Sequence, residues 1–192
     1  MPPEIILASG SPRRHELLGK MGVRFEVVTA DVQEFMPERT SDTCGVAKHN
    51  ARIKARAVAR LRPGRWILGS DTIVALGDRV LGKPPTLAAA HDYLAALSGQ
   101  THEVITGCCL VNPDPDEAPL GLYDISRVTF HKLSAETIAK YLAAVHVLDK
   151  AGGYALQEHG DWLVERVEGS RDNILGLPTE VLRGVLTRHG LL

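Results

Sequence analysis

The chain has 192 residues, 44% of them apolar and 23% charged, with a formal net charge of −1. That length and apolar content predict one domain, residues 1–192, with a real core rather than extended disorder. The near-neutral balance argues against binding nucleic acid by overall charge, while a few local Lys and Arg could still receive one small polyanion.

Glu4 to Ser9 contains the apolar run Ile5-Ile6-Leu7-Ala8, which predicts a buried strand leaving into the loop Ser9-Gly10-Ser11-Pro12. No basic region and long apolar stretch precede it, so neither a signal peptide nor a membrane span is expected. From Pro12 the spacing of Leu17, Leu18 and Met21 is helical, with Gly22 as the stop. Phe25 to Thr29 reads as a second strand and Thr40 to Leu61 as a helix capped by Ser41 or Thr43. Trp66 to Gly69 is a strand running through Ser70-Asp71-Thr72 into Ile73 to Leu76, with Gly77-Asp78 as a hairpin turn to Arg79 to Leu81.

Thr86 to Leu97 is an alanine-rich helix ended by Ser98-Gly99. His102 to Val111 and Leu122 to Phe130 are strands joined by a solvated loop carrying Pro113 and Pro115. Ala135 to Ala144 is a helix, Trp162 to Val167 a strand and Thr179 to His189 a final helix. The order predicts an α/β fold with a mixed, twisted sheet flanked by helices, rather than a purely parallel one.

Several residues could carry chemistry. Ser9 to Arg14 joins a strand to a helix start, where free backbone N–H groups favour an anion. Arg13 and Arg14 in that first turn oppose the helix dipole, which an anionic ligand would resolve and a solvated pair would tolerate. Asp71 sits between apolar segments, so its carboxylate must be paired, hydrogen-bonded or metal-bound. It could hold Mg²⁺, activate a water, or simply cap a turn.

On a wheel of about 100° per residue, Val46, Ile53, Ala57 and Leu61 share one side, and Arg52, Arg56 and Arg60 a solvated face. Lys54 lies at the edge of the apolar stripe, from which it can enter a cleft or snorkel to water. Lys83, between Gly82 and Pro84, is either a fixed cation facing a phosphate or an exposed loop lysine. A P-loop is excluded, because Pro follows Lys83 where Ser or Thr is needed. Asp31 and Glu34 lie in a polar segment, and Glu34 could help a metal or be a solvated acid.

His102 reads as a satisfied structural histidine; no HExxH or Gly-x-Ser-x-Gly pattern occurs. Cys44, Cys108 and Cys109 form an odd set without a CxxC pair, so reduced thiols and a cytoplasmic location are expected.

Weak singly, these signals are informative in their order. Leu7-Ala-Ser-Gly-Ser-Pro-Arg-Arg14 with Glu16-Leu-Leu18, Ser70-Asp-Thr-Ile-Val74 and Gly82-Lys-Pro84 come first. Leu97-Ser-Gly-Gln-Thr-His-Glu-Val104, Asp149-Lys-Ala-Gly-Gly-Tyr154 with Gln157, and Gly176-Leu-Pro178 follow. In this combination the chain resembles the Maf family of nucleotide pyrophosphatases, from Leu7 to Pro178.

The resemblance implies a two-lobed fold of the inosine-triphosphate-pyrophosphatase type around a nucleotide cleft. It implies Asp71 as catalytic base, Ser9, Arg13, Lys54 and Lys83 as triphosphate ligands, and Asp71 with Glu34 near a divalent cation, Mg²⁺ or Mn²⁺. Arg13, Thr72 and Gln157 match the specificity positions of the dTTP/UTP branch. The family commonly has Gly after that glutamine, where this chain has Glu158-His159. The expected reaction is hydrolysis of dTTP and UTP, or of modified pyrimidine nucleotides, to monophosphate and pyrophosphate. Asp71 would position or deprotonate the water that attacks the α-phosphorus, with charge stabilisation dominating the rate. The resemblance also allows a homodimer; no membrane or stable nucleic-acid partner is expected.

The rival readings are a non-catalytic nucleotide-binding regulator linked to cell division, and a pyrophosphatase of the 7-methyl-GTP or purine type. Turnover separates the first, and the preferred base separates the second.

Overall fold

A computed structural model of the chain describes residues 5–192. The first apolar run forms β1 (Ile5–Leu7), and Glu4, where it was expected to start, lies outside the described residues. Pro12 opens α1 (Pro12–Lys20), where its missing N–H costs nothing. The second strand, β2 (Phe25–Val27), is shorter than expected, and the next regular element is α2 (Thr43–Leu61). Neither Ser41 nor Thr43 caps this helix: Asp42 Oδ1 accepts the Gly45 N–H at 2.8 Å, while Thr40 Oγ1 accepts the Asp42 N–H at 3.0 Å. Thr40 to Asp42 is thus a turn ahead of the helix.

The long strand β3 (Trp66–Leu76) turns at Gly77-Asp78 into β4 (Arg79–Leu81). Thr86 caps α3 (Leu87–Leu97) through the Ala89 N–H, and β5 (Thr101–Val111) and β6 (Leu120–Phe130) follow. Ser134 caps α4 (Ala135–Ala144) in the same way. Two short 3₁₀ turns, Ala151–Gly153 and Gly160–Trp162, precede β7 (Val164–Glu168). Trp162, expected in that strand, instead stacks on His159 with ring centroids 4.2 Å apart, under the Lys140 ammonium. An unexpected short helix, α5 (Arg171–Leu175), leads to α6 (Thr179–Arg188). At five residues α5 is too short to show a helical period in sequence.

Among the described residues the strands form one sheet in the order β2-β1-β3-β5-β6-β7, with β4 also paired to β3. β1 is parallel to β2 and β3, and the remaining pairs are antiparallel, giving the expected mixed sheet. On one face α1 and α6 pack over Ile5, Leu7, Leu68 and Leu110, while α3 and α4 pack over Val74, Val104, Val128 and Phe130. On the other face α2 alone covers Ile6, Ile67, Ile73 and Ile105.

The stripe of α2 that meets the sheet differs from the expected one. Ala47, Asn50, Ala51, Ala55 and Val58 are buried, while Leu61 is exposed. Side-chain volume, not hydrophobicity, decides this, because the helix lies almost on the sheet backbone. A Cβ on Gly69 would fall 2.2 Å from the Ala51 carbonyl oxygen, and one on Gly107 would fall 2.5 Å from the Ala47 carbonyl carbon. Glycine in the strands and alanine in the helix permit that approach. Gly69, Asp71 and Ile73 alternate onto the same face, so the close approach puts α2 directly over Asp71.

Candidate functional site

Strand pairing opens a notch in the sheet. Along one edge of β3, β1 covers Trp66–Leu68 and β4 covers Val74–Leu76, leaving residues 69–73 without a paired strand on that side among the described residues. β1 ends there in the Ser9-Gly10-Ser11 loop, with the Ala8 N–H still bonded to the Leu68 carbonyl at 2.8 Å. A cleft of about 430 Å³ fills the notch. Its lining includes Ser9, Arg13, Arg14, Glu34, Lys54, Asp71, Thr72 and Lys83. Sequence reasoning named all of these.

At the centre, Asp71 is buried and ionically paired. Lys54 Nζ lies 2.6 Å from Asp71 Oδ1 and 2.7 Å from Glu34 Oε1, bridging the two carboxylates. Of the two readings of Lys54, the structure therefore takes the one that enters the cleft. Burial pushes the Glu34 pKa up, but the hydrogen bond and charge of Lys54, then Lys83 and Arg14, outweigh it and hold the group below the usual range. Asp31, by contrast, is exposed and does not line the cleft. Among the described residues no three His, Cys, Asp or Glu side chains converge as a metal cage.

The consecutive arginines divide their work. Arg14 donates from Nε to the Gly176 carbonyl (2.8 Å), from Nη1 to Ser9 Oγ (3.0 Å) and from Nη2 to Thr72 Oγ1 (3.0 Å). Burial lowers the Arg14 pKa, with Asp71 opposing the shift, and the group stays cationic. The Thr72 hydroxyl is further engaged with Thr106 Oγ1 at 2.9 Å, so it orients Arg14 as much as it faces the cleft. Arg13 and Lys83 make no hydrogen bond or ion pair with another described residue, and both line the cleft. Sequence alone could not tell which arginine points inward, because neighbours on a helix are about 100° apart.

Gln157 is exposed and lines a smaller neighbouring cavity of about 210 Å³ together with Arg13, Asp172 and Thr179. Glu158 turns back toward Lys150 at 3.4 Å, and His159 adopts a left-handed φ of 52°. His159 is the only non-glycine residue with positive φ among those described. The cleft lining also includes Tyr154, Ala155, Leu156, Ile174 and Leu175. Behind it, His102 Nε2 meets Tyr154 Oη at 2.8 Å, and burial lowers the His102 pKa to about 4. His102 Nδ1 has no hydrogen-bond partner among the described residues, so there the expectation of a satisfied histidine holds for one ring nitrogen only.

Sequence reasoning missed Asn50, and it named Asp149 and Lys150 only as members of a motif, with no role assigned. Asp149 lines the cleft, and burial with the opposing, stronger pull of Lys150 leaves its pKa lowered. Asn50 is a polar residue on a buried stripe of small side chains, a signal legible once that stripe is identified. The three cysteines are free, and burial raises Cys108 to about 12 and Cys109 to about 11, which makes both inert thiols. No helix among the described residues is long and apolar enough to cross a membrane.

A family model described as Maf-like protein matches residues 4–189. A dTTP/UTP pyrophosphatase of Deinococcus radiodurans is 41% identical over 98% of this chain and 94% of its own length. One from Myxococcus xanthus is 42% identical, over 97% and 93%. Another from Akkermansia muciniphila is 41% identical, over 93% and 92%. Among solved structures, a HAM1 protein from Coxiella burnetii superposes with a TM-score of 0.61 at 18% identity, covering 97% of this chain and 100% of that one. The Staphylococcus aureus Ham1 protein gives 0.57 at 13% identity, covering 96% and 98%. These two share the fold.

Proposed function

The chain belongs to the Maf family, and from that premise we propose that it is a nucleoside-triphosphate pyrophosphatase acting on dTTP and UTP. One observation carries the reading. A buried carboxylate, Asp71, shares its cleft with Arg13 and Lys83, cations that make no hydrogen bond or ion pair with another described residue and act on Asp149 and Glu34 only at longer range. A triphosphate supplies the missing negative charge, and a water beside Asp71 supplies the nucleophile.

In this reading Arg13, Lys83 and the Ser9 loop at the start of α1 hold the phosphate chain. Lys54 leaves its carboxylates to meet a phosphate oxygen, which frees Asp71 Oδ1 to orient a water and take its proton. The water attacks the α-phosphorus in line, and pyrophosphate leaves. Positioning and charge neutralisation supply most of the rate. The pyrimidine lies toward the apolar wall of Ala155, Leu156 and Ile174. We retain Arg13, Thr72 and Gln157 as specificity residues, Thr72 acting through Arg14 and Gln157 from the cavity it shares with Arg13.

A divalent cation fits the donor set. Asp71 Oδ1 and Glu34 Oε1 already converge on one positive centre, the Lys54 ammonium, and Mg²⁺ sites commonly combine one or two carboxylates with substrate phosphates. Asp71 and Glu34 would hold Mg²⁺ or Mn²⁺, which when bound supplies charge neutralisation and acidifies water. The free thiols fit a reducing compartment, and we place the enzyme in the cytoplasm as one domain over residues 1–192.

Product analysis with dTTP, UTP, CTP, GTP and 7-methyl-GTP, each with Mg²⁺ or Mn²⁺, tests the proposal. Monophosphate plus pyrophosphate from dTTP and UTP is expected. Diphosphate plus orthophosphate would overturn the α–β cut, and preference for 7-methyl-GTP would overturn the substrate. Tight binding without turnover would make the chain a nucleotide-binding regulator.

A further inference from the structure

Asn50 is fully buried, lies outside the cleft lining, and touches two segments of the site at once. Its Nδ2 donates to Asp71 Oδ2 at 3.0 Å and to the Phe35 carbonyl at 3.0 Å, and its Oδ1 accepts the Phe35 N–H at 2.8 Å. Two acceptors on one side and a donor on the other leave the amide a single orientation. One helical turn along α2, Lys54 repeats the pattern with charge, bonding Asp71 Oδ1 and Glu34 Oε1. Residues four apart on a helix share a face, so one turn of α2 grips both oxygens of Asp71 and two consecutive residues of the 34–35 segment.

The two grips differ in what a substrate does to them. Lys54 is a flexible cation at the cleft, and a triphosphate competes for it. Asn50 is neutral, and no ligand in the cleft reaches it. We propose that Asn50 is the positioning residue that keeps Asp71 aimed, and Glu34 beside it, while Lys54 is drawn onto the phosphates. The inference rests on the reading of Asp71 as the base. Removing Asn50 should therefore slow the chemical step while leaving nucleotide affinity unchanged.

The test compares Asn50→Leu, Asn50→Asp and Asp71→Asn in full-length protein with dTTP. Folding is checked by circular dichroism, and binding of a non-hydrolysable α,β-imido dTTP by calorimetry. Asn50→Leu removes every bond of the amide, including the one from Nδ2 to Met36 Sδ at 3.7 Å; Asn50→Asp keeps the acceptor for the Phe35 N–H and replaces the amide donor to Asp71 Oδ2 with a second carboxyl oxygen. Both are expected to lower kcat about 10- to 100-fold, the range for residues supporting a catalytic ligand, with analogue Kd within about threefold of wild type. If Asn50→Leu does not fold, Asn50→Asp carries the comparison. An unchanged kcat in the folded variant, with Asp71→Asn inactive, overturns the role of Asn50 and leaves the base assignment standing. A loss confined to KM and Kd also overturns it, because Asn50 would then shape the binding surface only. Full activity in Asp71→Asn removes the base assignment, and this proposal with it.

Discussion

Gly69 of β3 lies so close beneath Ala51 of α2 that a single added methyl would fall 2.2 Å from the Ala51 carbonyl oxygen. That contact sets the height of the helix above the sheet, and Asn50 and Lys54 flank Ala51 on the same helix. Gly69→Ala is therefore expected to destabilise the fold by about 2–4 kcal/mol, since α2 must lift, and to reduce activity by moving Lys54. Gly19→Ala, where a Cβ meets nothing within 4 Å, is the control and should be neutral or slightly stabilising. Thermal melts of both variants check this.

Arg14 ties three segments together through one guanidinium, reaching Ser9, Thr72 and Gly176. A lysine can reproduce the charge but not the fork. Arg14→Lys is expected to cost about 1–3 kcal/mol and to raise KM, while the same change at Arg13, which has no hydrogen bond or ion pair with another described residue, should raise KM with little change in melting temperature. A melt beside steady-state kinetics separates the two residues.

Lys54 is the cation between two carboxylates, so its removal leaves Asp71 and Glu34 repelling each other. Lys54→Met is expected to raise KM for dTTP at least about tenfold and to bind Mn²⁺ more tightly in the absence of nucleotide. Electron paramagnetic resonance of free Mn²⁺ measures the second effect. Unchanged Mn²⁺ affinity would argue against a cation site at the carboxylate pair.

His102 must stay neutral in its buried place against Tyr154 and Phe130. Its pKa falls from an ordinary 6.5 to about 4 on folding, through burial. Below pH 6.5 the unfolded chain takes up a proton that the folded one refuses, so stability declines as pH falls from 6.5 toward 4. By pH 4.5 the loss from this group approaches about 2–3 kcal/mol. Denaturant unfolding at pH 7 and pH 4.5 should show that His102→Gln, though less stable at pH 7, loses less on acidification than the wild type.

Much of the fold was legible because long elements carry strong patterns. β3 and its hairpin at Gly77-Asp78 follow from the apolar run either side of Asp71, and Thr86 announces α3. The cleft residues Ser9, Arg13, Asp71 and Lys83 were legible through the order of short motifs and the family they resemble, while Lys54 was legible from its place at the edge of the α2 apolar stripe together with that resemblance. What failed shares one cause: tertiary contacts that no local pattern encodes. The α2 wheel favoured Ile53 and Leu61, whereas glycines at 69 and 107, distant in sequence, selected the alanine stripe. Asn50 carries no local sequence signal, and only that stripe turns it toward Asp71. Gln157 was legible as a motif member, yet its side chain faces the smaller cavity.

The most direct measurement is single-turnover hydrolysis of dTTP in ¹⁸O-labelled water, with mass analysis of both products. Attack at the α-phosphorus by a water beside Asp71 puts the label in thymidine monophosphate and leaves pyrophosphate unlabelled. Label in the pyrophosphate would mean attack at the β-phosphorus and would contradict the arrangement of Asp71, Arg13 and Lys83 around the substrate.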